Sequence, residues 1–343
     1  MNNTIFILGN GFDLAIGKKT AYTDFYDWYK KRVLDNVDAN ILMHELAGDL
    51  ATWADFEISI SDYISHCNNV DKYLKSFGCI VKQLNNYLKK ECVLVDWEKV
   101  HKDDSIIQEF AQSLQSFETH IPTLETPTRF NIQNDKRMQF FLLNYTDTFD
   151  KLLKIAISQN SVLEDTTSGS TWLHGKVDEY PTTGIGTIEQ VINETLRDNE
   201  KINKVLVKSE YRRIVERSDS GSLPYDSFRR KIRDASMVCI YGSSIAETDQ
   251  PLWEIVSQWF FGNPRAQLVI FVYDEKIPID TEVNWNESTE FAAREQKNLK
   301  KVQDMFFQRA KQHVCENDEE KLKNFHVVMN APLFNFKLPR KAE

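Results

Sequence analysis

A chain of 343 residues with 41% hydrophobic and 12% aromatic side chains, including 21 Phe and 12 Tyr, has enough apolar material for a large buried core, which excludes a disordered polypeptide. Its 42 basic against 51 acidic side chains leave a net charge of −9, opposing the phosphate attraction on which nucleic-acid binders depend, so duplex DNA is not an expected partner. Cys67, Cys79, Cys92, Cys239 and Cys315 are scattered without a C-x-x-C pair, which excludes a zinc knuckle or dithiol motif and fits reduced thiols in the cytoplasm.

The segment Met1 to Gly9 has no basic n-region and too short an apolar stretch for a signal peptide. Its Ile5 to Leu8 run is the first in a series continued by Phe140 to Leu143, Met237 to Tyr241, Leu268 to Tyr273 and Phe325 to Met329. Such runs are strand-sized, well short of the ~20 residues that cross a bilayer, and read as strands buried on both faces. Segments of helical period separate them, which predicts an α/β fold with a mainly parallel sheet covered on both sides. The first two strands are too far apart for a simple crossover. Apolar stripes fill the gap: Tyr22, Phe25, Trp28, Tyr29 and Val33, then Leu46, Leu50, Trp53, Phe56, Ile60 and Tyr63, then Tyr73, Leu74, Phe77, Val81, Leu84 and Leu88. The expected division is therefore an α/β core of residues 1–19 and 137–343 and a helical insertion of residues 20–136, closed by a Thr119 to Lys136 stretch with Pro122 and Pro127. A helical block from Ile188 to Val215 and a helix N-capped by Ser288 and running towards Val314 complete the pattern.

Candidate chemistry gathers at the ends of the strands. Gly9-Asn10-Gly11-Phe12-Asp13 follows the first strand and opens a helix, where glycines allow close backbone approach to phosphate and a helix N-terminus attracts anions; the alternative is an ordinary tight turn. Leu14 stands where G-x-G-x-x-G requires its third glycine, so a hydride-transferring oxidoreductase is not indicated. Asn144-Tyr145-Thr146-Asp147 ends the second strand and turns Asn144 towards a ligand pocket, with Asp147 or Thr148 read as a helix cap. Between Leu173 and Gly175, His174 is either a general base or a satisfied structural residue. Gly242-Ser243-Ser244 after a buried strand would admit ribose or phosphate, and Asp249 either holds a ribose hydroxyl or caps the helix of Trp253. One shared pocket accounts for all four.

Gly9-Asn10-Gly11-Phe12-Asp13-Leu14, Trp53-x-x-Phe56-Glu57, Asn144-Tyr145-Thr146, His174-Gly175, Lys208-x-Glu210-Tyr211 and Gly242-Ser243-Ser244 with Asp249 together resemble the AbiH family of phage-defence proteins. That resemblance implies abortive infection, in which an infected bacterium stops growing or dies before phage spreads. A more distant resemblance, to sirtuin-like NAD-consuming enzymes, implies a Rossmann-like sheet and NAD as substrate. By position, Gly9, Asn10, Gly11, Phe12 and Asp13 would border the nucleotide, with Thr146, Gly242, Ser243, Ser244 and Asp249 along its ribose or phosphate side. Asn144 would orient ribose or water, and His174 would be the base. Asn144-Tyr145-Thr146-Asp147 is only loosely like the sirtuin Asn-x-Asp, and no zinc-binding cysteine set follows His174, so deacylation and a metal are not expected. Loss of nicotinamide passes through an oxocarbenium-like ribose, which needs positioning and charge stabilisation rather than a metal.

The expected function is thus NAD hydrolysis to nicotinamide and ADP-ribose upon infection. Alternatives are a nucleotide-binding sensor or interaction module that acts through a partner, and a metal-dependent nuclease built on Asp13, Glu57 and Asp249. A phage-derived trigger is an expected partner and membrane is not. The insert from Tyr22 to Phe117 is of a size to gate a pocket or join copies of the chain, and periodicity does not separate those roles.

Overall fold

Ile5, Phe6, Ile7 and Leu8 are all buried, and their alternation sorts them. Phe6 and Leu8 enter one apolar cluster and Ile5 and Ile7 a second, as a strand covered on both faces requires. The structure, a computed structural model, describes residues 2–32, 36–46, 53–65, 69–121, 136–178, 182–208, 223–274, 285–315 and 318–342. Its strands are β1 (Asn2–Leu8), β2 (Lys136–Leu142), β3 (Thr167–Trp172), β4 (Ala235–Tyr241), β5 (Gln267–Val272) and β6 (Phe325–Met329). They form one six-stranded, wholly parallel sheet in the order β3-β2-β1-β4-β5-β6. In this order the chain reverses its direction of travel between β1 and β4, the switch point at which open α/β sheets bind ligands.

Among the described residues, α1 (Gly11–Ala15), α2 (Tyr22–Tyr29), α3 (Val37–Leu46), α4 (Trp53–Ser65), α5 (Val70–Val93), α6 (Trp97–Lys102) and α7 (Asp104–Ser116) lie between β1 and β2. Then come α8 (Thr148–Gln159), α9 (Ser161–Thr166), α10 (Glu200–Leu206), α11 (Pro224–Ile232), α12 (Gln250–Gly262), α13 (Trp285–Arg309) and α14 (Glu319–Leu322). The helices of the expected insertion divide between two cores. Ile106, Ile107, Phe110 and Leu114 of α7 pack on the sheet face of Phe6 and Phe140, beside α8. Helices α2 to α5 instead build their own core around Phe25, Phe56, Ile60, Phe77 and Leu84, joined by Ile185, Ile202 and Leu206 from the β3–β4 connection. The opposite sheet face is covered by Phe228 of α11, Trp253 and Phe260 of α12 and Phe306 of α13.

The apolar runs of the sequence all appear as strands, but β3 has no such run. Its Thr167-Ser168-Gly169-Ser170-Thr171-Trp172 is a half-exposed edge strand that pairs only with β2, so it needs no apolar face. Other local expectations are corrected. Ser288 lies inside α13, which starts at Trp285 and so has no N-cap at 288. As far as Lys208, where its described residues end, the Ile188 to Val215 block has single 3-10 turns at Ile188–Gln190 and Glu194–Leu196 and then the short α10, because Asn193 and Asn199 each cap and restart the chain. Tyr211 and Ile214, like Leu50, Cys67, Pro122, Pro127, Glu210 and Val33, lie outside the described residues.

The β1 and β4 ends interlock through glycine. Gly9 N–H donates to Tyr241 O at 2.9 Å and Gly11 N–H to Gly242 O at 2.7 Å. A Cβ on Gly9 would sit 2.5 Å from Gly242 O, and one on Gly11 2.5 Å from Gly242 Cα. Gly242 itself has φ +66° and would drive a Cβ to 2.6 Å from Phe12 N. Backbone therefore approaches backbone at a distance that only glycine on both sides allows. Gly242→Ala is expected to cost about 2 kcal/mol or more, combining left-handed strain with the clash. Gly78→Ala, on an exposed turn of α5 with open space around the site, is expected to stabilise by about 0.5–1 kcal/mol. Denaturant midpoints of the two variants, displaced in opposite directions, check this.

Candidate functional site

Two buried polar clusters lie at the carboxyl ends of the strands, and they partition the residues expected to share one pocket. Asp13, fully buried in α1, centres the first. Its Oδ2 accepts hydrogen bonds from Thr146 Oγ1 at 2.6 Å and Asn144 Nδ2 at 3.2 Å, and Trp172 Nε1 fixes the same loop by donating to Thr146 O at 3.2 Å. Asp13 Oδ1 and Asn144 Oδ1 are also buried and have no hydrogen-bond partner among the described residues. Two unmatched acceptors in one hydrogen-bonded cluster leave room in hydrogen bonding for a donor.

The surrounding residues are less available than their sequence suggests. The Gly9, Gly11 and Phe12 N–H groups all donate to main-chain carbonyls, Phe12 N–H to Gly9 O at 3.0 Å. The phosphate-cradling expectation for this turn is therefore not what its hydrogen bonds express, and α1 has only five residues. The Phe12 ring lies in the core, edge-on to Phe149 and Phe334 at 5.2 and 5.1 Å, so its side chain serves packing. Asn10 Nδ2 donates to Thr20 O at 2.9 Å. Ser243 Oγ accepts from Ile245 N–H at 3.1 Å, whereas Ser244 is exposed. The cap expected of Asp147 or Thr148 is not made by either side chain. Asp147 pairs with Lys151 at 2.8 Å, and Thr148 Oγ1 is taken by the buried Lys18 Nζ at 2.6 Å.

The second cluster joins distant elements. Lys208, 3% exposed, sits just beyond α10 and places Nζ 2.8 Å from Glu57 Oε2 of α4 and 2.9 Å from Asp249 Oδ1 at the start of α12. Glu57 also accepts from Thr248 Oγ1 at 2.5 Å, Thr183 Oγ1 at 3.0 Å and Gly184 N–H at 3.3 Å. His174, 4% exposed, brings Nε2 to 3.1 Å from Asp249 Oδ1, near enough for ion pairing though off the angle of an aligned hydrogen bond. Its carbonyl is held by Thr182 N–H at 2.8 Å, and the Tyr145 hydroxyl donates to Thr182 O at the same distance. Asp249 thus neither caps α12 through its side chain nor stands free for a ligand; it is spent on Lys208 and His174.

Burial disfavours both charges, but the two carboxylates override it and hold the Lys208 ammonium above its ordinary value. Asp249 is likewise opposed by burial, and Lys208 and then His174 hold its carboxyl well below the usual carboxylate range. Glu57 and Asp249 are bridged by an ammonium, and Asp13 belongs to the other cluster. Among the described residues no group of three or more His, Cys, Asp and Glu side chains is arranged to hold a metal ion. Lys208 was invisible as a site residue because an isolated lysine past a helical stripe reads as a solvated charge. Its only signal was its place in the Lys208-x-Glu210-Tyr211 element.

Every segment of both clusters falls within residues 5–272, which match the family model described as bacteriophage abortive infection AbiH. The chain belongs to the AbiH family. Membership gives it an anti-phage abortive-infection role. No curated protein matches this AbiH chain. No helix of the described residues is long and apolar enough to cross a membrane.

Removing the ammonium strands two buried carboxylates in this AbiH protein, so Lys208→Met is expected to lower the unfolding free energy by about 3–5 kcal/mol. The Lys208→Met/Glu57→Gln double variant should recover part of that loss. Because the folded Asp249 carboxyl titrates below its unfolded value of about 4, its pairing contributes in full above that value and is lost as pH falls through the folded one. Urea unfolding at a series of acid pH values should therefore show a steeper loss of stability for the native chain than for Asp249→Asn.

Proposed function

We propose that this AbiH protein acts in abortive infection by hydrolysing NAD to nicotinamide and ADP-ribose. The observation that carries the reading is that the Asp13–Asn144–Thr146 cluster and the His174–Asp249 pair both lie past the carboxyl ends of the adjacent strands β3, β2, β1 and β4, with the Asp13 and Asn144 Oδ1 atoms buried and without a partner among the described residues. The strand order supports a Rossmann-like, sirtuin-like reading of the sheet.

Ribose hydroxyls are hydrogen-bond donors, and a carboxylate and an amide oxygen are matched acceptors for them. The negative charge of Asp13 also favours the positive charge that develops on the sugar as the bond to nicotinamide breaks. In the balanced step, water oxygen bonds to the ribose C1′, the C1′–N pair leaves with nicotinamide, and the water proton passes to His174. Asp249 Oδ1, 3.1 Å from Nε2, lies beside the ring that takes the proton, and its negative charge favours the resulting cation. With the glycine N–H groups committed to main chain, the sugar rather than a phosphate meets the turn at Gly9 to Asp13. Gly242, Ser243 and Ser244 then border the remainder of the nucleotide.

A second reading, a nucleotide-binding module that acts through a partner or a phage-derived trigger, is favoured by the burial of His174 and its engagement with Asp249. Incubation of the purified protein with NAD, alone and with lysate from infected cells, should release nicotinamide, and His174→Ala and Asp13→Asn should each slow release by about 100-fold or more. Absence of nicotinamide under both conditions overturns hydrolysis. NAD binding with undiminished phage protection in His174→Ala would establish the module instead.

A further inference from the structure

Lys208 and His174 address the same oxygen. The ammonium lies 2.9 Å from Asp249 Oδ1 and hydrogen-bonds to it, while the imidazole Nε2, at 3.1 Å, is off the bonding angle. Lys208 therefore has first claim on the carboxylate that would otherwise hold the ring. It is itself shared, because Glu57 Oε2 accepts from the same ammonium at 2.8 Å.

Charge balance gives this competition a consequence. Glu57 and Asp249 bring two negative charges and Lys208 one positive charge, all three side chains being buried. Without Lys208, the buried Asp249 carboxylate would face the imidazole with its charge uncompensated and Glu57 close behind in the same cluster, and a ring so placed is retained as the cation, which cannot accept a proton. With Lys208 present, the oxygen nearest the ring is already satisfied.

Other groups around the ring come from several elements. The Tyr145 ring, from the loop after β2, lies 6.5 Å away and interacts electrostatically with Tyr225 of α11. Lys176 turns away to stack over Trp172 at 4.9 Å, and Glu247, two residues before Asp249, is paired with Arg309 of α13. Thr183 and Thr248 donate neutral hydroxyls to Glu57.

We propose that Lys208 is a positioning residue that satisfies Asp249 and thereby leaves His174 free to take up the proton released in NAD hydrolysis, with Glu57 setting how much of the lysine Asp249 receives. The inference rests on the reading of His174 as the base, but its test does not require turnover. The His174 ring resonance, assigned among the chain's 7 His by comparison with His174→Ala, is followed by NMR across pH in three variants.

Lys208→Met removes the competing cation and should raise the His174 titration midpoint by about 1 pH unit or more. Glu57→Gln keeps the hydrogen-bonding shape, removes one negative charge, returns the whole ammonium to Asp249 and should lower the midpoint. Lys208→Arg, which retains the charge, should stay near the native value. The acid limb of kcat/KM for NAD should move in the same two directions. Charge proximity alone gives such midpoint shifts, so it is the movement of the kcat/KM limb along with them that a merely structural lysine would not produce. Midpoints that do not move, or that move the same way in Lys208→Met and Glu57→Gln, overturn the proposal. Should Lys208→Met fail to fold, Glu57→Gln decides alone, a fall supporting and a rise or no change overturning. Opposite NMR shifts without nicotinamide release would leave Lys208 in command of His174 while the hydrolysis reading fails, so the two failures are distinguishable.

Discussion

Moving Lys208 out of water costs several kcal/mol, and the same is true of Glu57 and of Asp249 taken singly. The three are tolerable only together, with Thr248, Thr183 and Gly184 N–H satisfying the remaining lone pairs of Glu57. Because Glu57 comes from α4, Lys208 from the end of α10 and Asp249 from the start of α12, this requirement fixes three otherwise independent elements relative to one another. The core of α2 to α5 is an apolar cluster separate from both sheet faces. Apolar packing resists a slide of such a cluster through shape alone, whereas a bridged ion set adds a directional restraint. The register between the helical layer and the carboxyl edge of the sheet is accordingly electrostatic, and any displacement of α4 strips the ammonium of one partner.

The glycine interlock acts at the same edge by a different means. Because Gly9 and Gly11 meet Gly242 backbone to backbone, β1 and β4 remain parallel and close one residue beyond their last ladder bonds. The chain then turns at once into α1, which carries Asp13 inward beneath Asn144 and Thr146. A glycine pattern that resembles a phosphate cradle in sequence thus acts as a spacer between two backbones, and the carboxylate two residues later takes the hydrogen bonds of Asn144 and Thr146.

This explains which parts of the fold and site were legible from sequence. Buried central strands declare themselves because both faces must be apolar, and β1, β2, β4, β5 and β6 were read on that basis. β3 was not, since an edge strand of Thr, Ser and Gly meets no such requirement. The strand-end motifs stood out in the sequence as polar groups directly after apolar runs. Their pairing did not: whether Asp249 faces a helix terminus, a sugar or a lysine depends on where residue 208 arrives, and no local pattern encodes that. The side-chain cap favoured for Asp147 or Thr148, and the cap that was one of two readings of Asp249, are not made, and for the two aspartates the reason is the same. Each carboxylate found a lysine, a stronger partner than the backbone N–H groups that propensity assigns to it.

Beyond the residues that match the AbiH family, β6 and the chain after it complete the environment of Asp13. Phe334 packs edge-on to Phe12 and beside Phe110 at 5.6 Å, and its N–H donates to Ser113 Oγ at 2.8 Å. Leu338 N–H then donates to Ile16 O at 3.0 Å, and Arg340 grips the buried Glu91 of α5 through both Nη atoms at 2.8 and 3.2 Å. A five-residue helix has little stability of its own, since nucleating a turn costs more than its few hydrogen bonds return. The position of α1, and with it the orientation of the Asp13 carboxylate, therefore derives from the glycine turn on one side and the C-terminal segment on the other. The buried acceptor pair of Asp13 and Asn144 consequently depends on chain outside the family match as well as within it.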